Sequence, residues 1–180
     1  MTYPDAPPST RARRRDRLTG MDRAQGQHIG IDDNRLAHMR EVGRICYELA
    51  ADLFGWDEQR CRQMFIVGFL HDVGYEFSEK QTDHEEIGGA LLAEAGYAHA
   101  EPLRRHGDPE ADFSDDRLLI LNAADMSVSK DGRRVGFAAR LADIAARYGK
   151  DSPQYENSAR VIEAVSDELK RRGLTTSLIG

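Results

Sequence analysis

From Asp32 onward the apolar residues of this chain recur at steps of three and four, and no stretch alternates apolar and polar residues long enough to build a sheet. That periodicity predicts helix after helix. Asp32 or Asp33 is placed to cap a first helix with the stripe Met39, Val42, Ile45, Cys46, Leu49 and Leu53, closed by Gly55. Asp57 is placed to cap a second, with Trp56 ahead of it able to pack on Cys61, and Met64, Phe65, Val67 and Leu70 carry it to near Gly74. Thr82 followed by Glu85 has the form of a capping box, opening a third helix through Ile87, Leu91 and Leu92 to Gly96. A short helix over about 100–106, one capped by Ser114 through Leu118, Leu119 and Leu121, one over Phe137–Tyr148 and one starting at Ser152-Pro153 complete the series. The expected fold is all-α, a single-domain bundle of six to seven helices.

Length and composition agree with one domain. The 180 residues are 40% apolar and 31% charged, enough for a core and too apolar for a disordered chain. Cys46 and Cys61 lie 15 apart in apolar surroundings, match no metal-binding spacing and read as buried free thiols. The longest apolar run, Phe65 to Leu70, is far short of the ~20 residues of a spanning helix. With no secretory signal after the early arginines, a cytoplasmic protein without a membrane partner is expected.

Residues 1–28 differ from the rest, with six arginines, three aspartates and no lysine, and are expected to form a disordered basic tail ahead of a domain over 29–180. The formal charge of -6 therefore divides into +3 for the tail and -9 for the domain. Bulk attraction to nucleic acid is not expected.

The histidines carry the chemistry. His38 is in register with Val42, Ile45 and Leu49; His71 follows Gly68 and Met64; Asp72 follows Phe65; Asp125 follows Leu118 and Leu121; and His84 precedes Ile87, Gly88 and Leu91. Each faces the buried side of its helix. Burying several imidazoles and carboxylates unpaired costs several kcal/mol, and a metal ion removes that cost by pairing with all of them. Imidazole with carboxylate suits Fe, Mn, Co, Ni or Zn.

His38, then Phe69-Leu70-His71-Asp72-Val73-Gly74, then Asn122-Ala123-Ala124-Asp125 resembles the H…HD…D arrangement of the HD-domain metal-dependent phosphohydrolases, over about 30–130. His84 in Asp83-His84-Glu85-Glu86 and His106 in Arg104-Arg105-His106-Gly107 are similar to the additional ligands of the H…HD…H…H…D subset, which holds two metal ions. The resemblance implies one ion on His38, His71, Asp72 and Asp125, and a second on His84 and His106 with Asp72 bridging. His28 and His99 match nothing in the pattern and read as surface residues.

What the resemblance implies is hydrolysis of a phosphate ester or anhydride of a nucleotide or other small metabolite, with Asp72, His84 and His106 as the catalytic set. Two ions about 3.5–4 Å apart lower the pKa of a water held between them and neutralise charge on phosphoryl oxygens. Arg104, Arg105, Lys130, Arg133 and Arg134, all near expected ligands, are candidates to bind substrate phosphate. One departure stands out: where many members carry a lysine three after the HD aspartate, this chain has Tyr75, and neither Glu76 nor Lys80 falls at that position. A di-iron oxygenase of the same ligand set and a non-catalytic metal-binding module are the alternatives. The stripe Phe137, Leu141, Ile144 and Ala145 either closes the core or makes a homodimer.

Overall fold

The computed structural model describes residues 29–174, so the basic tail 1–28, with His28, lies outside the described residues. Seven α-helices follow one another there: α1 (Asp33–Asp52), α2 (Glu58–Leu70), α3 (His84–Glu94), α4 (Ala100–Arg105), α5 (Asp116–Asp125), α6 (Gly136–Tyr148) and α7 (Pro153–Arg171), with a 3-10 turn (Val73–Glu76) after α2. No strand occurs among the described residues, only an isolated antiparallel bridge between Val128 and Arg134. The described residues therefore form an all-α single domain.

Carboxylates start three of the helices, α1, α2 and α5, as acceptors for N–H groups that have no partner inside the helix. The Asp32 carboxylate accepts from the Arg35 N–H at 2.7 Å and that of Asp57 from Arg60 N–H at 2.9 Å. Ser152 caps α7 with Pro153 in its first turn. Two expected caps are corrected. Ser114 does not cap α5: Asp115 does, accepting from Arg117 N–H at 2.8 Å, a charged acceptor being favoured at the positive end of a helix. Thr82 and Glu85 form no capping box, because the Thr82 hydroxyl donates to Asp83 and the Glu85 carboxylate lies 3.1 Å from Nδ1 of His84. The second helix also ends earlier than its apolar pattern suggests, at Leu70, so that His71 and Asp72 sit in the turn beyond it.

The core is organised around α5, whose residues 118–125 are all buried. It touches α1, α2, α4 and α7. Burying Leu118, Leu119, Ile120 and Leu121 contributes about 1.5–3 kcal/mol each, which offsets the cost of taking Asn122 and Asp125 inside with them. Both cysteines are free and buried as expected, Cys61 donating to the Trp56 carbonyl at 3.3 Å. Phe137 packs on the core and Ile144 is buried, so the α6 stripe faces inward.

Two close approaches need glycine. A Cβ on Gly68 would lie 2.9 Å from the Gly43 Cα, where α1 and α2 cross. A Cβ on Gly74 would lie 1.9 Å from the His84 carbonyl oxygen and 2.7 Å from the Gly88 nitrogen, so the 3-10 turn and α3 meet backbone to backbone. Neither backbone has room to yield. Gly74→Ala is therefore expected to cost about 3 kcal/mol, the upper end for overpacking, and to lower Tm by roughly 6–12 °C in a thermal melt followed by circular dichroism; an unchanged Tm would refute the close approach.

Candidate metal centre

Five elements bring six polar side chains to one place. His38 comes from α1, His71 and Asp72 from the turn after α2, His84 from the first position of α3, His106 from just beyond α4, and Asp125 from the end of α5. All six are buried. Asp72 is the junction: its Oδ1 lies 3.4 Å from Nε2 of His71, 3.2 Å from that of His84 and 3.7 Å from that of His106, while its Oδ2 is 3.9 Å from Nε2 of His38. Two groups of ligand atoms share it, His38–His71–Asp72 and Asp72–His84–His106, with the atoms of each group within 4.8 Å of one another. Asp125 joins the first group, its Oδ1 3.0 Å from Nε2 of His38 and 3.8 Å from Nε2 of His71.

Every one of the four imidazoles is held by its other nitrogen. Nδ1 of His71, His84 and His106 faces the carbonyl three residues earlier, on Gly68 (2.7 Å), Gln81 (2.6 Å) and Leu103 (2.5 Å). Nδ1 of His38 reaches the Ser129 carbonyl at 3.0 Å, ninety-one residues away in sequence. A carbonyl only accepts, so Nδ1 carries the hydrogen in each ring and Nε2 of a neutral ring presents a lone pair. Backbone carbonyls in this role are the usual outer shell of metal-binding histidines. Nε2 of both His38 and His71 is buried with no hydrogen-bond partner, although the former lies 3.0 Å from Asp125. Lone pairs of nitrogen and oxygen aimed at one another in a dry interior call for a cation between them. The buried His/Asp clusters thus have the donor set and orientation to hold a metal ion.

The electrostatics of the protein alone point the same way. Burial pushes the His71 imidazolium down to about 4, against the pull of Asp72 and Asp125. Burial also disfavours the charged form of His106, yet the Asp72 carboxylate 3.7 Å from its Nε2 overcomes this and raises it to about 9. Asp72 and Asp125 would both be driven up by burial, but the surrounding histidines, with Arg35 and Arg140 respectively, hold them below the usual carboxylate range.

Asp72, His84, His106 and Asp125 form the floor of a cleft of about 480 Å³, with His38 and His71 buried away from it, and α6 and the start of α7 wall it on one side and the 80–85 segment on the other. None of the expected phosphate-binding cations lines it. Arg104 lies 3.2 Å from Glu86, Arg105 pairs with Asp108 at 2.9 Å and Arg133 with Asp131 at 2.9 Å. Arg134 is committed to α1, donating to Glu41 and doubly to Glu48 at 2.6 and 2.7 Å, and Lys130 is exposed. The four arginines pair with nearby carboxylates, so closeness to the ligands in sequence does not carry them into the cleft. The cleft's cations are Arg35, Arg140 and Arg147. Arg140 had a signal, standing four before Ile144 on the inward stripe of α6; Arg35 had only its place three before His38.

Tyr75 is an integral part of the wall. Its ring stacks on His84 at 3.9 Å between centroids, and the Arg35 guanidinium sits 4.0 Å over it while donating to Asp72 Oδ2 at 2.6 Å. Asn122, which precedes Asp125 in the motif, accepts from the Gly107 N–H at 2.8 Å and donates to the Leu118 carbonyl, fixing the chain just after His106. His99 is half-buried rather than exposed, its ring edge-on to Tyr97 and apart from the cluster.

A pH profile of stability follows for chelator-treated protein. His71 stays neutral in the fold down to about 4, whereas the unfolded chain protonates it near 6.5, so stability is lost as pH falls between those values. His106 keeps its proton up to about 9, so its contribution is complete below 6.5 and lost as pH rises to 9. Urea denaturation across pH 4–10 is expected to peak near 6.5, each limb amounting to about 3 kcal/mol; a flat alkaline limb would refute the His106–Asp72 contact. Comparison of the chain with protein-family models, with curated proteins and with solved structures returned no match.

Proposed function

We propose that this chain is a metal-dependent phosphohydrolase of the HD type, hydrolysing a phosphate ester or anhydride of a nucleotide or other small metabolite. The observation that carries the proposal is the convergence of four carbonyl-anchored Nε2 atoms on Asp72 and Asp125 at the floor of an arginine-bearing cleft. His38, His71, Asp72 and Asp125 would hold one divalent ion, and His84 and His106 a second, with Asp72 shared; the donors suit Fe, Mn, Co, Ni or Zn. Such ions supply an activated water and neutralise charge on phosphoryl oxygens.

The chain's own residues do the rest. Asp72 ties the two halves together through Oδ1, and Arg35 orients its Oδ2. His106 holds a proton at Nε2 against Asp72 until an ion takes that place. Tyr75, standing where many HD-domain members have a lysine, serves as a platform between His84 and Arg35, and Arg35 returns positive charge to that side of the cleft from α1. The volume of about 480 Å³ suits a small molecule rather than a polymer.

The direct test is metal analysis of the purified protein followed by a panel of phosphomonoesters, nucleotides and dinucleoside polyphosphates with Mn, Co or reduced Fe. Turnover is expected that chelation abolishes and that Asp72→Asn reduces at least 100-fold, beyond the roughly 10–100-fold typical of an outer-shell change. Tightly held metal with no ester cleaved, or Fe(II)-dependent oxygen uptake in its place, would overturn the proposal.

A further inference from the structure

Arg140 is the cleft cation whose hydrogen bonds are not used. Its side chain is 10% exposed, yet Nε and Nη1 have no hydrogen-bond partner. Its nearest carboxylates are Asp125, 3.6 Å from Nη2, and Asp143, 3.8 Å from Nη1, both longer than a direct hydrogen bond. The other two cations lining the cleft are already answered, Arg35 by Asp72 at 2.6 Å and Arg147 by Asp143 at 3.0 Å. A guanidinium does not shed its proton to escape burial, so unused donors here call for an anion.

The cleft also sets the charge of that anion. Arg35, Arg140 and Arg147 match Asp72, Asp125 and Glu85 in number among the residues lining the cleft. A divalent ion therefore tips the floor positive, and a second does so more strongly. Met126 and Ile144 line the cleft too and give an organic portion an apolar surface.

We propose that Arg140 binds a non-bridging oxygen of a phosphoryl dianion seated beside Asp125, whether on a substrate ester or as released phosphate. This rests on the phosphohydrolase proposal and adds to it the residue that selects the dianion. Arg140 is thus a specificity determinant contributed by α6, outside the ligand set.

The test uses the Mn-loaded full chain and inorganic phosphate as the probe, titrated calorimetrically and as an inhibitor of turnover. Arg140→Gln is expected to weaken phosphate binding at least tenfold with Mn content unchanged, and Arg140→Lys to recover part of it, since lysine returns the charge without the planar fork. Phosphate affinity of Arg140→Gln within twofold of the parent overturns the assignment, as does acetate competing as well as phosphate. Should Arg140→Gln fail to fold, Arg140→Lys decides: several-fold weaker phosphate binding supports the assignment and parental affinity overturns it. Phosphate bound through Arg140 by a protein that cleaves no ester would sink the hydrolase proposal and leave the anion site standing. Esters cleaved with KM and phosphate affinity untouched in Arg140→Gln would do the reverse.

Discussion

The buried carboxylate of Asp72 is the constraint around which the rest of the molecule is arranged. An ion of that kind taken from water into a protein interior pays several kcal/mol unless it is surrounded by donors. Here Arg35 reaches one oxygen, and His71, His84 and His106 converge on the other. Supplying those partners requires α1, the turn after α2, the start of α3 and the end of α4 to meet at one point. The backbone contact at Gly74 is the local geometry that brings His84 to Asp72. The asymmetry between neighbouring imidazoles has the same origin, since His71 is held neutral by burial while His106 is drawn into charge by Asp72.

Much of this was legible in the sequence, and the parts that were not share a cause. Helix positions and the inward His38, His71 and His84 follow from periodicity, because a residue three or four away from a core residue such as Val42 must point where it points, whereas His106, just beyond its helix, was reached only through the resemblance. Caps were less legible: Ser114 and Asp115 are adjacent and both competent, and only the path of the chain chooses between them. The basic residues were least legible. Arg104, Arg105, Arg133 and Arg134 lie near expected ligands in sequence, but their partners are carboxylates such as Glu41, Glu48 and Glu86. Arg140 comes from a helix fifteen residues beyond Asp125, and its burial depends on how α6 is laid across the cleft.

That outer wall is attached differently from the core. Its bonds to the opposite side of the cleft are polar, from the Tyr148 hydroxyl to the Gln81 side chain at 2.9 Å and from the Asn157 amide to the Gly107 carbonyl at 2.7 Å. Each contributes about 1 kcal/mol net, far less than the burial that fixes α5. The ligands thus sit on the buried framework, and the wall that carries Arg140 reaches across the cleft through polar bonds.

The anchoring of the four imidazoles carries a consequence for how the molecule is made. His71, His84 and His106 are each oriented by a carbonyl three residues back, so their rings are aimed as soon as the local turn exists. His38 depends on Ser129, and that loop is pinned to α1 by Arg134 on Glu41 and Glu48. Local closures are fast and distant ones slow, because long loops must surrender their freedom before any contact rewards it. During synthesis, therefore, His38 leaves the ribosome before the residues around 129 and waits for them before its ring is set. Only then is the set of nitrogen donors complete.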